Sequence, residues 1–317
     1  MTFLIALFWT LVFTAGALFL FSYFIAGRIE RGFHARGEWI TIEGERIHYR
    51  SMGEGPPIVL VHGLGGQSRN FDYLPLAEVA KRWRLVLVDR PGSGHSPRAD
   101  DSHANIAAQA RLVVAFLRAM GFERKPLLVG HSLGGAIALS VALQHPESVA
   151  GIGLIAPLTH LNRNVPAPFR ALAISTPWMR RLFGHTLAAP LAILNMKAAL
   201  EALFGPDVAP KDIGTRGGGL MGLRPSAFYA SSTDMNGVEQ DLPAQQERYG
   251  EIRVPVRILY GEGDRILDWR EQGQALKDKL PAADLRIIPG GHMLPVTQAA
   301  ATAAWLEETA RAVHGDL

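Results

Sequence analysis

Apolar residues follow several distinct patterns along this chain. From Thr2 to Gly27 no residue is charged (TFLIALFWTLVFTAGALFLFSYFIAG). A helix apolar on every face has no side to offer water, and roughly 20 apolar residues cross a bilayer core. The run exceeds that length, which predicts a membrane-spanning helix able to cross with tilt. Trp9 and Tyr23 are interfacial residue types, although Trp9 lies deep for that role. The rival is a cleaved leader, which needs a basic start, a shorter apolar core and a small-residue cleavage site. No Lys or Arg precedes this run, so a retained anchor over residues 1–27 is expected. Arg28, Arg31 and Arg36 follow it, and counting basic residues places the C-terminal side in the cytoplasm.

Residues 28–37 (RIERGFHARG) suggest a polar linker. EWITIEG and RIHYRSMG then alternate like two half-buried strands, with Glu43-Gly44 at the turn. PIVLVHG, RLVLVD, PLLVGHS, AGIGLIAP, VPVRILYG and LRIIPG are short apolar runs bounded by turn residues, the pattern of strands buried on both faces. Helical periods over 70–82, 103–120, LGGAIALSVALQH, 268–280 and 297–312 alternate with them. That alternation predicts an α/β protein with a mostly parallel sheet flanked by helices. Residues 157–250 break it: they hold no clear buried strand, and PFRALAISTPWMRRLF and LAAPLAILNMKAALEALF are helical runs. We expect a helical cap at 157–250, inserted into a core formed by 38–156 and 251–317.

Composition narrows the chemistry. The 317 residues are 48% hydrophobic and 19% charged, too apolar for disorder. The net charge is +3 with a pI of about 9.3, and no long basic run argues for nucleic acid. The absence of Cys removes thiol nucleophiles, Cys-bound zinc and iron–sulfur clusters. No His/Asp/Glu spacing resembles a metal site, so neither metal nor organic cofactor is expected.

Gly130-His131-Ser132-Leu133-Gly134-Gly135 follows a strand and opens a helix. A G-x-S-x-G at such a turn strains the serine and exposes its Oγ beside a helix N-terminus. Ser132 is the candidate nucleophile. Its oxyanion would be held by the N–H of Leu133 and a second N–H from His62-Gly63-Leu64-Gly65-Gly66, most simply that of Leu64. A serine needs a base and the base an orienting acid. His292 in PGGHMLP, after the last strand, is the candidate base, and Asp264 in YGEGDRILD the candidate acid. Asp268 is the alternative acid but suits a helix cap. His131 adjoins the nucleophile, His62 and His95 suit structural loops, and Asp89 ends a strand before the nucleophile.

HGLGG, VDRPGSGHS, GHSLGG, GEGD and GGH, in that order, resemble the α/β-hydrolase superfamily over residues 38–156 and 251–313. The resemblance implies that fold and a Ser–Asp–His triad. A serine at the elbow points away from the dehalogenases and epoxide hydrolases of this fold, which use Asp. It implies an esterase or monoacylglycerol-lipase-like enzyme. The alternatives are a C–C bond hydrolase, an acyltransferase or perhydrolase, and a non-catalytic anchored binding module.

The cap supplies two further expectations. Its Leu, Ala, Ile, Phe, Met and Trp content suggests an apolar acyl pocket for a small or lipid-like ester, with Phe71 a wall. From Leu161 to Lys197 there is no Asp or Glu, while Arg163, Arg170, Arg180, Arg181 and Lys197 accompany Phe169, Leu172, Ile174, Trp178, Met179, Leu182 and Phe183. Apolar bulk with a basic rim suits a surface lying on an anionic bilayer.

Overall fold

Short runs of branched apolar residues dictate the sheet. The computed structural model describes residues 1–161 and 165–315. Its strands are β1 (Glu38–Ile42), β2 (Glu45–Met52), β3 (Pro57–Val61), β4 (Arg84–Val88), β5 (Leu127–His131), β6 (Gly151–Ile155), β7 (Val256–Gly261) and β8 (Asp284–Ile288). They form one eight-stranded sheet in the order β1-β2-β4-β3-β5-β6-β7-β8. The β1–β2 and β2–β4 pairings are antiparallel and the others parallel. Its helices are α1 (Thr2–Gly32), α2 (Leu76–Val79), α3 (Ile106–Ala119), α4 (Leu133–Gln144), α5 (Pro177–Phe183), α6 (Ala189–Leu194), α7 (Met196–Phe204), α8 (Pro225–Glu247), α9 (Ala275–Lys279), α10 (Leu294–Thr297) and α11 (Ala299–His314).

The strand side chains divide between two cores. Val59, Val61, Val86, Val88 and Leu128 pack with α3 and α4 on one face. Ile58, Leu60, Leu85, Leu87 and Leu127 pack against Trp83, Trp305 and Leu306 on the other. This period-two division is why β3 is apolar at every position and β5 through Val129. Asn105 caps α3 by accepting the Ala108 N–H at 2.8 Å.

Several expectations change. α1 extends through Gly32, so the first half of residues 28–37 is helical. Its last turns are docked: Ser22 is fully buried and donates to Thr186 O at 3.2 Å, and Ile29 is buried. Pro75 interrupts residues 70–82, leaving a 3₁₀ turn at Ser68–Phe71 and the single turn of α2. Phe71 is no pocket wall: it is fully buried in the second core, with Leu74 and Val79. Arg180 leaves the basic rim, because α5 turns it toward α8. There it donates to Ile174 O, Ser175 O and Thr233 Oγ1 at 2.7, 2.7 and 2.8 Å. Arg170, Arg181 and Lys197 are exposed; Arg163 lies outside the described residues.

α8 has a buried face that is largely polar. Its Asp234 is buried and accepts from Arg90 Nη1 at 2.6 Å and from Arg98 Nη2. Arg90 also donates to Gln109 Oε1 at 2.5 Å and Gly63 O at 2.8 Å. One guanidinium thus joins α3, the loop after β3 and α8. Removing one partner of such a buried pair strands uncompensated charge, at a cost of about 3–5 kcal/mol. Asp234→Ala is expected to lower unfolding stability by about that amount in urea melts of the detergent-solubilised chain. A loss under about 1 kcal/mol would mean that the network is solvated.

Candidate active site

The turn between β5 and α4 sets the site. Ser132 has φ 55° and ψ −119°, outside the ordinary regions for a side-chain-bearing residue. Its N–H donates to Ile155 O at 3.0 Å, and its carbonyl accepts from Gly135 and Leu158 at 2.9 and 3.0 Å. The turn closes only around glycine. A methyl at Gly130 would lie 2.1 Å from Gly134 O, and one at Gly134 would lie 2.3 Å from Val61 O. Leu133 is the first residue of α4, so its N–H has no intrahelical acceptor.

His292 follows β8 on a glycine loop and is buried. Its Nδ1 donates to Asp264 Oδ2 at 2.7 Å. Asp264, on the loop after β7, is held by the N–H groups of Ile266 and Leu267 on Oδ1, at 2.8 and 2.9 Å. Both carboxylate oxygens are engaged, and the imidazole keeps Nε2 for the cavity. Asp268 instead accepts the Arg270 N–H at 2.8 Å, the capping role its position suggests.

Ser132, His292 and Leu64 line one cavity of about 490 Å³. Its other walls include Ala192, Met196, Leu200, Leu203, Phe204 and Leu223 from the segment between β6 and β7. Lys211 is the one Lys or Arg, and no Asp or Glu appears, among its described lining residues. These insert residues, rather than Phe71, supply the apolar surface.

His62 and His131 are tied into the scaffold by hydrogen bonds. His62 Nδ1 donates to Gly63 O at 2.8 Å, while Nε2 accepts the Arg90 N–H at 3.0 Å. Burial, reinforced by the charge of Arg90, pushes its pKa down to about 3. His131 donates from Nε2 to His292 O at 3.0 Å, and burial beside His292 lowers it to about 3 as well. Burial also pushes His95 down to about 4. Asp89 pairs with His48 Nδ1 at 2.8 Å and accepts the Ser68 and His95 N–H groups. Burial pushes its pKa up, but the His48 bond, the nearby His62 and those N–H groups prevail, leaving it at about 2.

Two supports had no readable signal in the sequence. Arg90 holds the loop bearing Leu64 through Gly63 O and, at 3.2 Å, His62 O. Asp207 accepts from the Gly291 N–H at 3.1 Å and Thr297 Oγ1 at 2.7 Å, clamping the loop that carries His292. Folding also gathers Glu45, Asp100 and His103, whose ligand-type atoms lie within 4.8 Å of one another, outside the cavity. Sequence separation conceals this cluster. His103 lies 3.4 and 3.5 Å from Glu43 and Glu45, as in ordinary ion pairs.

A family model for the alpha/beta hydrolase fold matches residues 56–299. A 2-hydroxy-6-oxononadienedioate/2-hydroxy-6-oxononatrienedioate hydrolase of Burkholderia vietnamiensis is 27% identical over 250 residues, covering 77% of this chain and 83% of its own. The crystal structure of a membrane phospholipase A, described as a bacterial virulence factor, superposes with a TM-score of 0.66 over 99% of both chains at 21% identity. A thermophilic esterase from Thermogutta terrifontis superposes with a TM-score of 0.71, covering 88% of this chain and all of its own at 20% identity. The two superpositions establish likeness of fold. With the strained serine turn, the sheet order and the family match together, this chain belongs to the alpha/beta hydrolase fold family and is a hydrolase.

Proposed function

We propose that this protein is a membrane-anchored serine hydrolase that cleaves carboxylic esters with apolar acyl groups. The observation that carries the reading is the His292–Asp264 hydrogen bond of 2.7 Å, with His292 and Ser132 facing one apolar cavity. In this reading Ser132 Oγ attacks the ester carbonyl as His292 Nε2 takes its proton. The N–H groups of Leu64 and Leu133 stabilise the oxyanion. His292 returns the proton to the departing alkoxide, leaving an acyl-enzyme and an alcohol. Water, deprotonated by His292, then releases the acid and restores Ser132. Asp264 fixes the imidazole tautomer and stabilises the imidazolium. A dicarboxylate substrate, as in the name of the Burkholderia relative, would call for more cationic surface than Lys211 offers.

Anchoring rests on α1. Its apolar window is entirely unburied, with Phe3, Phe13, Leu20 and Phe24 exposed. The insert continues this surface with Trp178, Leu182, Leu191 and Leu194 exposed beside the docked end of α1. We assign residues 1–27 to a membrane span and 157–250 to a cap whose exposed apolar face lies against the bilayer. Arg28, Arg31 and Arg36 place the hydrolase core on the cytoplasmic side in this assignment.

The expected substrate profile is turnover of p-nitrophenyl butyrate and octanoate, with slow turnover of a succinyl ester. Ser132→Ala should lower this hydrolysis by about four to six orders of magnitude while leaving the melting temperature near wild type. Fluorophosphonate should label Ser132 in the parent protein. More than about a tenth of the activity retained by Ser132→Ala would overturn the nucleophile assignment.

The two nearby carboxylates should separate cleanly. Asp264→Asn should cost roughly 10⁴-fold in kcat by favouring the wrong tautomer. Asp268→Asn should remain within a few-fold of the parent, since its contact is a cap. The reverse order in steady-state assays would transfer the acid role.

The acid limb of kcat/KM should follow a single proton. His62 and His131 have pKa values of about 3, below the ordinary value of 6.5, so both stay neutral from pH 5 upward. Neither should therefore contribute to the acid limb, whose limiting log–log slope above pH 5 should not exceed one. A slope of two would mean that a second site histidine titrates there.

A further inference from the structure

A second cavity, of about 730 Å³, opens where the end of α1 meets the insert. Arg28, His34, Arg36, Arg69 and Arg216 line it, and no Asp or Glu is among its described lining residues. These groups come from α1 and the turn after it, from the 3₁₀ turn at Ser68–Phe71, and from the insert, so folding assembles the cluster. Two of the guanidiniums are positioned without being neutralised. Arg69 lies over the Phe33 ring at 5.2 Å. Arg216 donates to Asp72 O at 2.8 Å and lies over the Tyr73 ring at 4.4 Å. Among the described residues, none of the four arginines forms a carboxylate ion pair. Like charges gathered in a concave, partly apolar site raise the local potential and favour an anion. Guanidinium forks match phosphate oxygens in pairs.

The groove adjoins the reaction cavity. Met196, Leu220 and Leu223 line both. A molecule lying across them has an anionic end among the arginines and an apolar chain beside Ser132. The groove also sits at the C-terminal end of the apolar run of α1, the depth of lipid headgroups if that run spans a bilayer.

We propose that this groove seats the phosphate of a glycerophospholipid whose acyl ester is delivered to Ser132. The substrate class is then phospholipid or lysophospholipid in preference to neutral glyceride. The proposal rests on ester hydrolysis at Ser132. The phosphate is held and not transferred: water and the ester give a fatty acid and the deacylated phospholipid.

The test uses the full chain in detergent micelles. Fatty-acid release is compared for dioctanoyl-phosphatidylglycerol and dioctanoylglycerol, which share acyl chains and differ in the headgroup. We expect kcat/KM to favour the phospholipid at least about tenfold. Arg69→Gln with Arg216→Gln should bring the ratio close to one, and the corresponding Lys pair should retain part of the preference. Binding of dihexanoyl-phosphatidylglycerol to Ser132→Ala protein supplies a readout without turnover, and the Gln pair should weaken it about tenfold or more. A ratio near one in the parent, with neutral lipid cleaved well, would overturn the headgroup seat and leave the hydrolase standing. Equal loss of both activities in the Gln pair would also overturn it. Inorganic phosphate bound by the Ser132→Ala protein without phospholipid preference would identify a free-phosphate site and refute the lipid. No cleavage of either lipid, with no fluorophosphonate label on Ser132, would defeat the parent reading. The binding comparison would then decide on the groove alone: equal binding by the Gln pair would refute it.

Discussion

The backbone at Ser132 constrains much of this molecule. Holding a side-chain-bearing residue at φ 55° costs about 1–3 kcal/mol and persists only where its surroundings over-determine it. Here β6 receives its N–H through Ile155 O, and the carbonyl is tied to Leu158 and Gly135. Closure brings α4 against the end of β3, where Gly134 leaves no room for a methyl beside Val61 O. The same approach sets Gly63 against Ser132, a methyl there falling 2.8 Å from the serine Cβ. The loop bearing Leu64 and the turn bearing Ser132 are therefore fixed against each other by backbone contact. The placement of α4 and the floor of the cavity follow from one geometric demand.

The legible elements were those whose signal is local. All eight strands lie within patterns visible in the sequence: β1 and β2 alternate apolar with polar residues, and the strands between them and β8 are short apolar runs buried on both faces. The Gly-Ser-Gly turn and the glycine loops are equally local, since close backbone approach selects glycine directly. α8 was not legible. It buries Ser231, Ser232, Thr233 and Asp234, residues that in isolation suggest a solvated segment. Their partners, Arg90, Arg98, Arg180 and the carbonyls of Leu172 and Ile174, are distant in sequence. The same long-range pairing explains why Arg180 looked like a surface charge. Phe71 was misplaced for a related reason: a one-residue difference along a 3₁₀ turn sends Asn70 to the cavity and Phe71 to the core.

The insert is attached to the core by polar contacts at several points, which makes its cavity a property of the fold and not of its helices alone. Gln67 Nε2 and Asn70 Nδ2 donate to Gly218 O and Gly217 O, at 2.6 and 3.0 Å. Asp207 reaches the His292 loop, and Asp234 reaches Arg90. α1 adds a further attachment through Ser22, and the Phe19 and His185 rings stack at 5.7 Å. A segment tethered in this way gives its exposed apolar face a defined direction relative to Ser132. That geometry distinguishes α1 from a loose tether: where the helix is oriented, the mouth of the insert is oriented with it.

Two Asp–His pairs of nearly equal length occupy this protein, and they differ in what surrounds the second ring nitrogen. His48 Nδ1 meets Asp89 at 2.8 Å, and His292 Nδ1 meets Asp264 at 2.7 Å. Both aspartates follow strands, both side chains are buried, and each accepts further backbone N–H groups. Bond length and burial therefore do not separate them. The second imidazole nitrogen does. His48 Nε2 is bonded to Arg36 O at 3.1 Å, and its ring packs between Trp39 and His95. That ring has no nitrogen to offer a reactant, so Asp89 and His48 fasten a hairpin to the loop after β4. His292 faces the cavity that Ser132 also lines, and its aspartate engages Nδ1 alone. Geometry at the far side of the ring, more than the length of the carboxylate bond, separates a pair fastened within the scaffold from a pair that borders the cavity.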